Sequence, residues 1–193
     1  MRRVMAVALV GSVFQLACSD SGRSARPELL APSASRSGLA SLDVESAPRT
    51  VQMRDDCDPT TFNLAVEPGT CVGKGDMTFA AFIAELTRDK QVKAWRFNPD
   101  EVKIELGRGF VAVNRGGEVH TFTEVKAFGG GIVPPLNELS GNPVPAPECL
   151  QLAPSDFIPP GGSQSDTPSE AGSEKYQCCI HPWMRAVVSI RGR

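Results

Sequence analysis

Four side chains carry the donor atoms of a mononuclear metal site. Cys178, His181 and Met184 stand at positions n, n+3 and n+6 of one short segment. The chain has only two histidines, and the second one is His120. Two imidazoles and a thiolate in a plane, with a long bond to an axial methionine, are the ligands of a blue-copper site. The sequence therefore predicts one copper ion held by His120, Cys178, His181 and Met184.

The ligand segment and the residues before His120 resemble the cupredoxins, the family of plastocyanin and amicyanin. The Cys-x-x-His-x-x-Met loop, with Pro182 after the histidine and Arg185 after the methionine, is most similar to amicyanin. The resemblance runs from about Trp95 to the C-terminus. Its upstream part repeats the family's approach to the first histidine: Phe97-Asn98-Pro99, Val102-Lys103-Ile104-Glu105-Leu106, Gly107 and Phe110-Val111-Ala112-Val113-Asn114.

This resemblance implies an all-β fold, a Greek-key sandwich of two antiparallel sheets that carries one type 1 copper. It implies an electron carrier rather than an enzyme, with His120 buried and His181 facing solvent. Thr121, where relatives often have Asn, and Asn114 are expected to support the ligands by hydrogen bonds. Pro182 and Trp183 would form the docking patch for redox partner proteins.

Other functions are compatible with parts of the pattern. A copper protein for metal delivery, storage or sensing would use the same four ligands. A copper oxidase or reductase is disfavoured, because the chain has no further histidine for a second centre. Zinc is possible, but methionine is a poor zinc ligand. The formal net charge of −2 and the lack of a basic stripe argue against nucleic-acid binding, and no small-molecule substrate is indicated.

The N-terminus predicts export. Arg2 and Arg3 precede an apolar stretch from Val4 to Ala17, which is short for a membrane span, and Cys18 follows it. We therefore expect a signal peptide over 1–17 and lipidation of Cys18. A lipoprotein signal usually has Leu where this chain has Gln15, so an ordinary secretory signal is the alternative. The protein would then be bacterial and periplasmic or on the cell surface.

The rest of the chain predicts a flexible, lipid-anchored linker and one domain. Residues 18–56 are rich in Ser, Ala, Pro and Arg without a regular period, which favours a tether, and residues 57–193 form the copper domain. Within the domain, alternation of Phe62, Leu64 and Val66 predicts a strand. Phe79, Phe82, Ile83 and Leu86 predict one added helix, capped at Asp76 or Thr78.

The remaining elements predicted are β-strands and one irregular insertion. Strands are expected over 95–97, 102–106, 110–113, 119–125 and 186–190. The resemblance also implies that a turn at 159–162 precedes the penultimate strand, which ends at 176–178. Between 129 and 160 the many Gly and Pro residues indicate a long loop inserted into the family pattern.

Six cysteines point to an oxidising compartment. If Cys18 is lipidated and Cys178 is the metal ligand, Cys57, Cys71, Cys149 and Cys179 remain, and they allow three pairings. Cys57 and Cys71 are close in sequence and are expected to pair. Cys149 would then pair with Cys179, whose side chain should point away from that of Cys178. In the alternative, Cys179 is a buried free thiol beside Thr121, and Cys149 is also free.

Overall fold

The computed structural model describes residues 49–192, which form two four-stranded sheets packed against each other. One sheet has the order β2-β1-β4-β6, and the other has the order β3-β8-β7-β5. The strands are β1 Arg49–Arg54, β2 Arg96–Asn98, β3 Glu101–Glu105, β4 Phe110–Asn114, β5 Thr123–Val125, β6 Ser163–Asp166, β7 Gly172–Gln177 and β8 Arg185–Arg191. The predicted all-β, two-sheet sandwich is confirmed.

The core lies between the two sheets and is built by alternating side chains. In β3, Val102 and Ile104 are buried while their neighbours are exposed. In β8, Ala186, Val188 and Ile190 are buried and alternate with half-buried residues. Phe110 of β4 contacts Tyr176 of β7 edge to face, with ring centroids 5.4 Å apart. A period of two buries one face of each strand, which is why these segments form a sandwich.

The sheets are mixed, so the expectation of purely antiparallel sheets is wrong. β1 pairs with β4 in parallel, and β3 pairs with β8 in parallel. Parallel neighbours need a long crossover connection rather than a tight hairpin. The chain supplies such connections here, because other strands and helices lie between the members of each parallel pair.

The strand predicted around Phe62 is instead a helix, α1, Pro59–Ala65. Asp58 caps its start by accepting hydrogen bonds from the amides of Thr60 and Thr61, and Pro59 occupies the first turn, where a missing N–H costs nothing. Only Phe62 is buried, whereas Leu64 is 87% exposed. The alternation of apolar residues was therefore misleading, because the capping signal before it decides the structure.

The predicted helix is confirmed as α2, Phe79–Asp89. Thr78 caps it, and Lys90 ends it in the left-handed region at φ 62°. Phe82 and Leu86 point into the core. The domain thus has two helices before β2 rather than one. Among the helices within 49–192, none is long and apolar enough to cross a membrane.

The structured domain begins earlier than the expected boundary at residue 57. β1 lies within the stretch that was assigned to the linker, and its residues Val51 and Met53 are fully buried. Pairing with both β2 and β4 holds this strand inside its sheet. The signal peptide over 1–17, the lipidation site Cys18 and most of the linker lie outside the described residues.

The insertion over 129–160 has regular structure of its own. It contains the helix α3, Pro134–Leu139, and two short 3-10 helices, Pro147–Gln151 and Pro154–Asp156. The turn at 159–162 leads into β6, so one more strand than expected lies between this turn and β7, the strand that leads to Cys178.

Candidate metal centre

Cys178 and His181 lie on a tight loop between β7 and β8. Cys178 directly follows β7, and its amide donates a hydrogen bond to the carbonyl of Met184 at 3.0 Å. The amide of Met184 donates to the carbonyl of His181 at 2.9 Å. These two hydrogen bonds close the loop, so they fix the backbone positions of Cys178, His181 and Met184 relative to one another.

His120 reaches the same place from another part of the chain. It does not lie in a long strand over 119–125 as predicted, because only Thr123–Val125 is a strand. An isolated bridge to Ile158 holds it instead, through backbone hydrogen bonds of 3.1 and 2.7 Å between the two residues. The backbone around His120 is thus fixed by the end of the insertion.

The three side chains form a buried cluster with the donor atoms turned inward. Sγ of Cys178 lies 3.8 Å from Nδ1 of His120 and 3.7 Å from Nδ1 of His181. One ligand atom from each residue can be chosen so that all lie within 4.8 Å of one another. His120 and Cys178 are fully buried, and His181 is 3% exposed. This arrangement can hold one metal ion between a sulfur and two ring nitrogens.

Thr121 and Asn114 both contribute hydrogen bonds around the cluster. The amide of Thr121 donates to Sγ of Cys178 at 3.4 Å, and its hydroxyl accepts from the amide of Cys179 at 2.7 Å. Nδ2 of Asn114 donates to the carbonyls of Glu118 and Ile158, each at 2.8 Å. Thr121 therefore joins the segment of His120 to that of Cys178. Asn114 joins Glu118, just before His120, to Ile158, the residue that pairs with His120.

A carboxylate that the sequence analysis missed lies behind His120. Nε2 of His120 is 2.9 Å from Oδ2 of Asp55, and the Asp55 side chain is 1% exposed. Burial alone would raise the pKa of Asp55, but the hydrogen bond and charge of His120 and the amides of Gly117 and Glu118 lower it to about 2. Burial would likewise lower the pKa of His120, yet Asp55 and Cys178 raise it to about 9.

A second carboxylate, Glu118, lies behind His181. Its Oε2 accepts a hydrogen bond from the indole N–H of Trp95 at 2.6 Å and lies 3.5 Å from Nε2 of His181. Burial raises the pKa of Glu118, while His181 and Trp95 oppose this rise. Glu118 lies in the turn before His120 and not in a strand, and the histidine that it faces is His181. No local pattern in the sequence marks Glu118 or Asp55 as a partner of a histidine.

The thiol of Cys178 is surrounded by groups that favour its ionised form. Burial would raise its pKa, but hydrogen bonds and charge from His120 and His181 lower it well below the usual value. Cys178 is also the free cysteine among the described residues. A thiolate is the form that binds metal ions.

His181 is buried, which contradicts the expectation of a solvent-facing ligand. The Trp183 ring lies 5.5 Å from the His181 ring, and the Trp95 ring lies 6.5 Å from it, measured between centroids. Phe82 of α2 packs against both tryptophans, at 4.7 and 5.9 Å. The helical region before β2 therefore contributes to the cover over this side of the site. Pro182 is buried and Trp183 is half-buried, so Pro182 is not available as an open docking surface.

Met184 is 1% exposed and belongs to the main core. Its backbone closes the ligand loop, as described above. Its role as the axial ligand remains a prediction.

Both expected disulfides are present. Cys57 pairs with Cys71, and Cys149 pairs with Cys179. The alternative in which Cys179 is a free thiol is therefore wrong. The second bridge fastens the insertion directly beside Cys178, and the amide of Ile132 adds a 2.7 Å hydrogen bond to the Cys179 carbonyl. Two disulfides fit an oxidising compartment.

The described residues form a two-sheet sandwich that carries a His–Cys–His cluster, which is the arrangement that the resemblance to the cupredoxins implied. Among solved structures, the chain is similar to a purple cupredoxin from Nitrosopumilus maritimus, with 15% identity, a TM-score of 0.42 and coverage of 74% of this chain and 99% of that one. It is also similar to a Cu(I) form of an amicyanin mutant, with 22% identity, a TM-score of 0.36 and coverage of 52% and 76%. No protein-family model and no curated protein matches the sequence.

Proposed function

We propose that this protein is an exported type 1 copper protein that carries single electrons. His120, Cys178 and His181 would bind the copper in a plane, and Met184 would be the axial ligand. The observation that carries this proposal is the convergence of two Nδ1 atoms, at 3.8 and 3.7 Å, on one buried cysteine sulfur. The carrier would accept one electron from a reduced partner protein and give it to an oxidised one.

The donor atoms fit copper better than the alternatives. Soft thiolate and thioether ligands together with imidazoles suit copper, whereas hard cations prefer carboxylate and carbonyl oxygens. The bound copper would supply the one-electron couple. The protein residues keep water away from the ligands and hold them through the hydrogen bonds of the loop and of Thr121. Little rearrangement of the ligands is then needed when the charge of the site changes.

An absorption spectrum tests the proposal. Protein loaded with Cu(II) should show an intense visible band from the bond between the thiolate and the metal. Cys178→Ser should abolish the band, and Cys179→Ser should keep it, because Cys179 is bound to Cys149. A colourless wild type would refute the copper assignment. Loss of the band in Cys179→Ser alone would show that the ligand cysteine is misassigned.

A second candidate function is copper delivery, storage or sensing. The burial of His181, at 3% exposure, favours it, because no imidazole edge is open for direct contact with a redox partner. Two rates separate the candidates: electron self-exchange of the copper protein, and transfer of copper to a competing chelator. An electron carrier should exchange electrons much faster than it releases copper. Slow electron exchange with rapid transfer to the chelator would favour delivery.

Export and anchoring complete the proposal. The two disulfides support a periplasmic or cell-surface location, and the sequence of residues 1–18 supports a signal peptide with lipidation of Cys18. The partners would be redox proteins and the membrane that holds the lipid. In a bacterial host, labelled fatty acid should be incorporated into the wild type and not into Cys18→Ser. An unlabelled, water-soluble wild type would support the ordinary secretory signal instead.

A further inference from the structure

Each imidazole of the candidate site has a carboxylate at the ring nitrogen that faces away from the sulfur. Nδ1 of His120 faces Cys178, while its Nε2 lies 2.9 Å from Asp55. Nδ1 of His181 faces the same sulfur, while its Nε2 lies 3.5 Å from Glu118. Both histidines thus have Nδ1 toward the Cys178 sulfur and a carboxylate near Nε2.

Asp55 is held in a cradle of backbone groups. Its two oxygens accept hydrogen bonds from the amide of Gly117, both at 2.9 Å, and Oδ2 also accepts from the amide of Glu118 at 3.1 Å. A Cβ on Gly116 would overlap the carboxylate, so the turn approaches Asp55 as closely as a glycine allows. The backbone amides therefore fix the position of the Asp55 carboxylate independently of its contact with His120.

Glu118 is fixed by a different donor. The indole N–H of Trp95 reaches Oε2 at 2.6 Å, which is the same oxygen that lies nearest Nε2 of His181. Trp95 is itself 1% exposed and packs against Phe82. The carboxylate cannot swing away from His181 without leaving the buried indole N–H unpaired, which costs free energy.

The carboxylates determine which ring nitrogen is available to a metal. Asp55 is placed to accept a hydrogen bond from Nε2 of His120, and Glu118 places a carboxylate oxygen 3.5 Å from Nε2 of His181. Both contacts favour a proton on Nε2, which leaves the Nδ1 lone pair of each ring toward Cys178. With a cation bound, the carboxylates add two negative charges to that of the thiolate, because a nearby cation favours the ionised form of each group. Because all three groups are buried, salt screens their interaction with a bound ion only weakly. Three negative charges favour a divalent ion over a monovalent one.

We propose that Asp55 and Glu118 are positioning residues that present both histidines through Nδ1 and bias the site toward divalent ions, including Cu(II) over Cu(I). This inference rests on the proposed function for its copper part. Its claim about ring orientation and divalent ions applies to any metal that the cluster binds.

The test uses isosteric variants of the full-length protein. Asp55→Asn and Glu118→Gln remove one charge each and keep an oxygen acceptor. Asp56→Asn and Glu101→Gln are matched controls, because they remove the same charge from acidic residues outside the cluster. We expect a 10- to 100-fold loss of Co(II) affinity in each test variant, and little change in the controls. The reduction potential of the copper protein should rise in both test variants and stay constant in the controls.

Two results would overturn the inference. One is test variants that fold, bind Co(II) as tightly as the controls and keep the wild-type potential. The other comes from the wild type alone and does not depend on how any variant folds. In protein labelled with ¹⁵N-histidine and loaded with Zn(II), NMR should find the ring proton on Nε2 of both histidines, and a proton on either Nδ1 would refute the positioning role.

Failure of the proposed function is distinguishable from these results. Wild type that lacks the visible copper band, yet shows the expected Co(II) and NMR behaviour, would refute the copper carrier and leave the positioning roles of Asp55 and Glu118 in place.

Discussion

Removing the Cys149–Cys179 disulfide should change both the stability of the protein and its copper spectrum. The two cysteines are 30 residues apart, and Cys179 directly follows the candidate ligand Cys178. A double variant, Cys149→Ala with Cys179→Ala, opens this link while keeping both positions apolar. The variant therefore removes the covalent link between the insertion and the segment that follows β7, and it leaves Cys178 itself unchanged.

The expected loss of stability follows from the length of the closed loop. In the loop-entropy model, a separation of 30 residues corresponds to about 3.6 kcal/mol of unfolding free energy. The matched control is Cys57→Ala with Cys71→Ala, for which a separation of 14 residues corresponds to about 3.0 kcal/mol. Urea denaturation of the metal-free proteins measures both values. Two similar losses are expected, so stability alone does not distinguish the bridges.

The copper spectrum distinguishes them. The insertion also contacts β7 through Gln177, whose side chain accepts from the amide of Gly129 at 3.0 Å and donates to the carbonyl of Gly130 at 3.2 Å. We expect the visible band and the reduction potential to shift in the Cys149/Cys179 variant more than in the control. An equal shift in the control, or unchanged stability and spectrum in the test variant, would refute the idea that the insertion supports the ligand strand.

Three further substitutions test the packing around the site. Phe82→Ala should destabilise the protein by roughly 3–5 kcal/mol by urea denaturation, because the ring is 2% exposed and packs on Trp95 and Trp183; Leu64→Ala, at an exposed position, should cost little. Gly131→Ala should cost roughly 1–3 kcal/mol, because its Cβ would overlap the Cys179 carbonyl; Gly192→Ala, which has room, is the control. Thr78→Ala should cost about 1 kcal/mol through loss of the N-cap of α2, and an unchanged melting temperature would contradict that role.

The three candidate ligands found in the cluster could be predicted from the sequence, because a short loop determines most of their relation. Cys178 and His181 are three residues apart, and the loop that carries them closes through its own backbone hydrogen bonds. The histidine count then left only His120 for the second imidazole. The strands β3, β4 and β8 were also predictable, since their burial alternates with the period of an extended chain.

All but one of the errors discussed here depend on contacts between distant parts of the chain. No local pattern shows that β1 pairs in parallel with β4, so the strand was assigned to the linker. Asp55 lies 65 residues before His120, and nothing in its neighbourhood marks it as a partner of a histidine. The error at α1 is different, because two local signals conflict there: Asp58-Pro59 predicts a helix start, whereas the alternation of Phe62, Leu64 and Val66 predicts a strand.

The burial of His181 connects these errors. The expectation that this histidine faces solvent came from a resemblance that begins near Trp95. The residues that shield His181 include side chains from before that point, such as Phe82 of α2, and the carboxylate of Asp55 also precedes it. The ligand loop provides the donor atoms, while residues 49–92 supply part of the cover over the site and the carboxylate behind His120. The environment of the candidate metal site is therefore a property of the whole domain, and it cannot be inferred from the ligand motif alone.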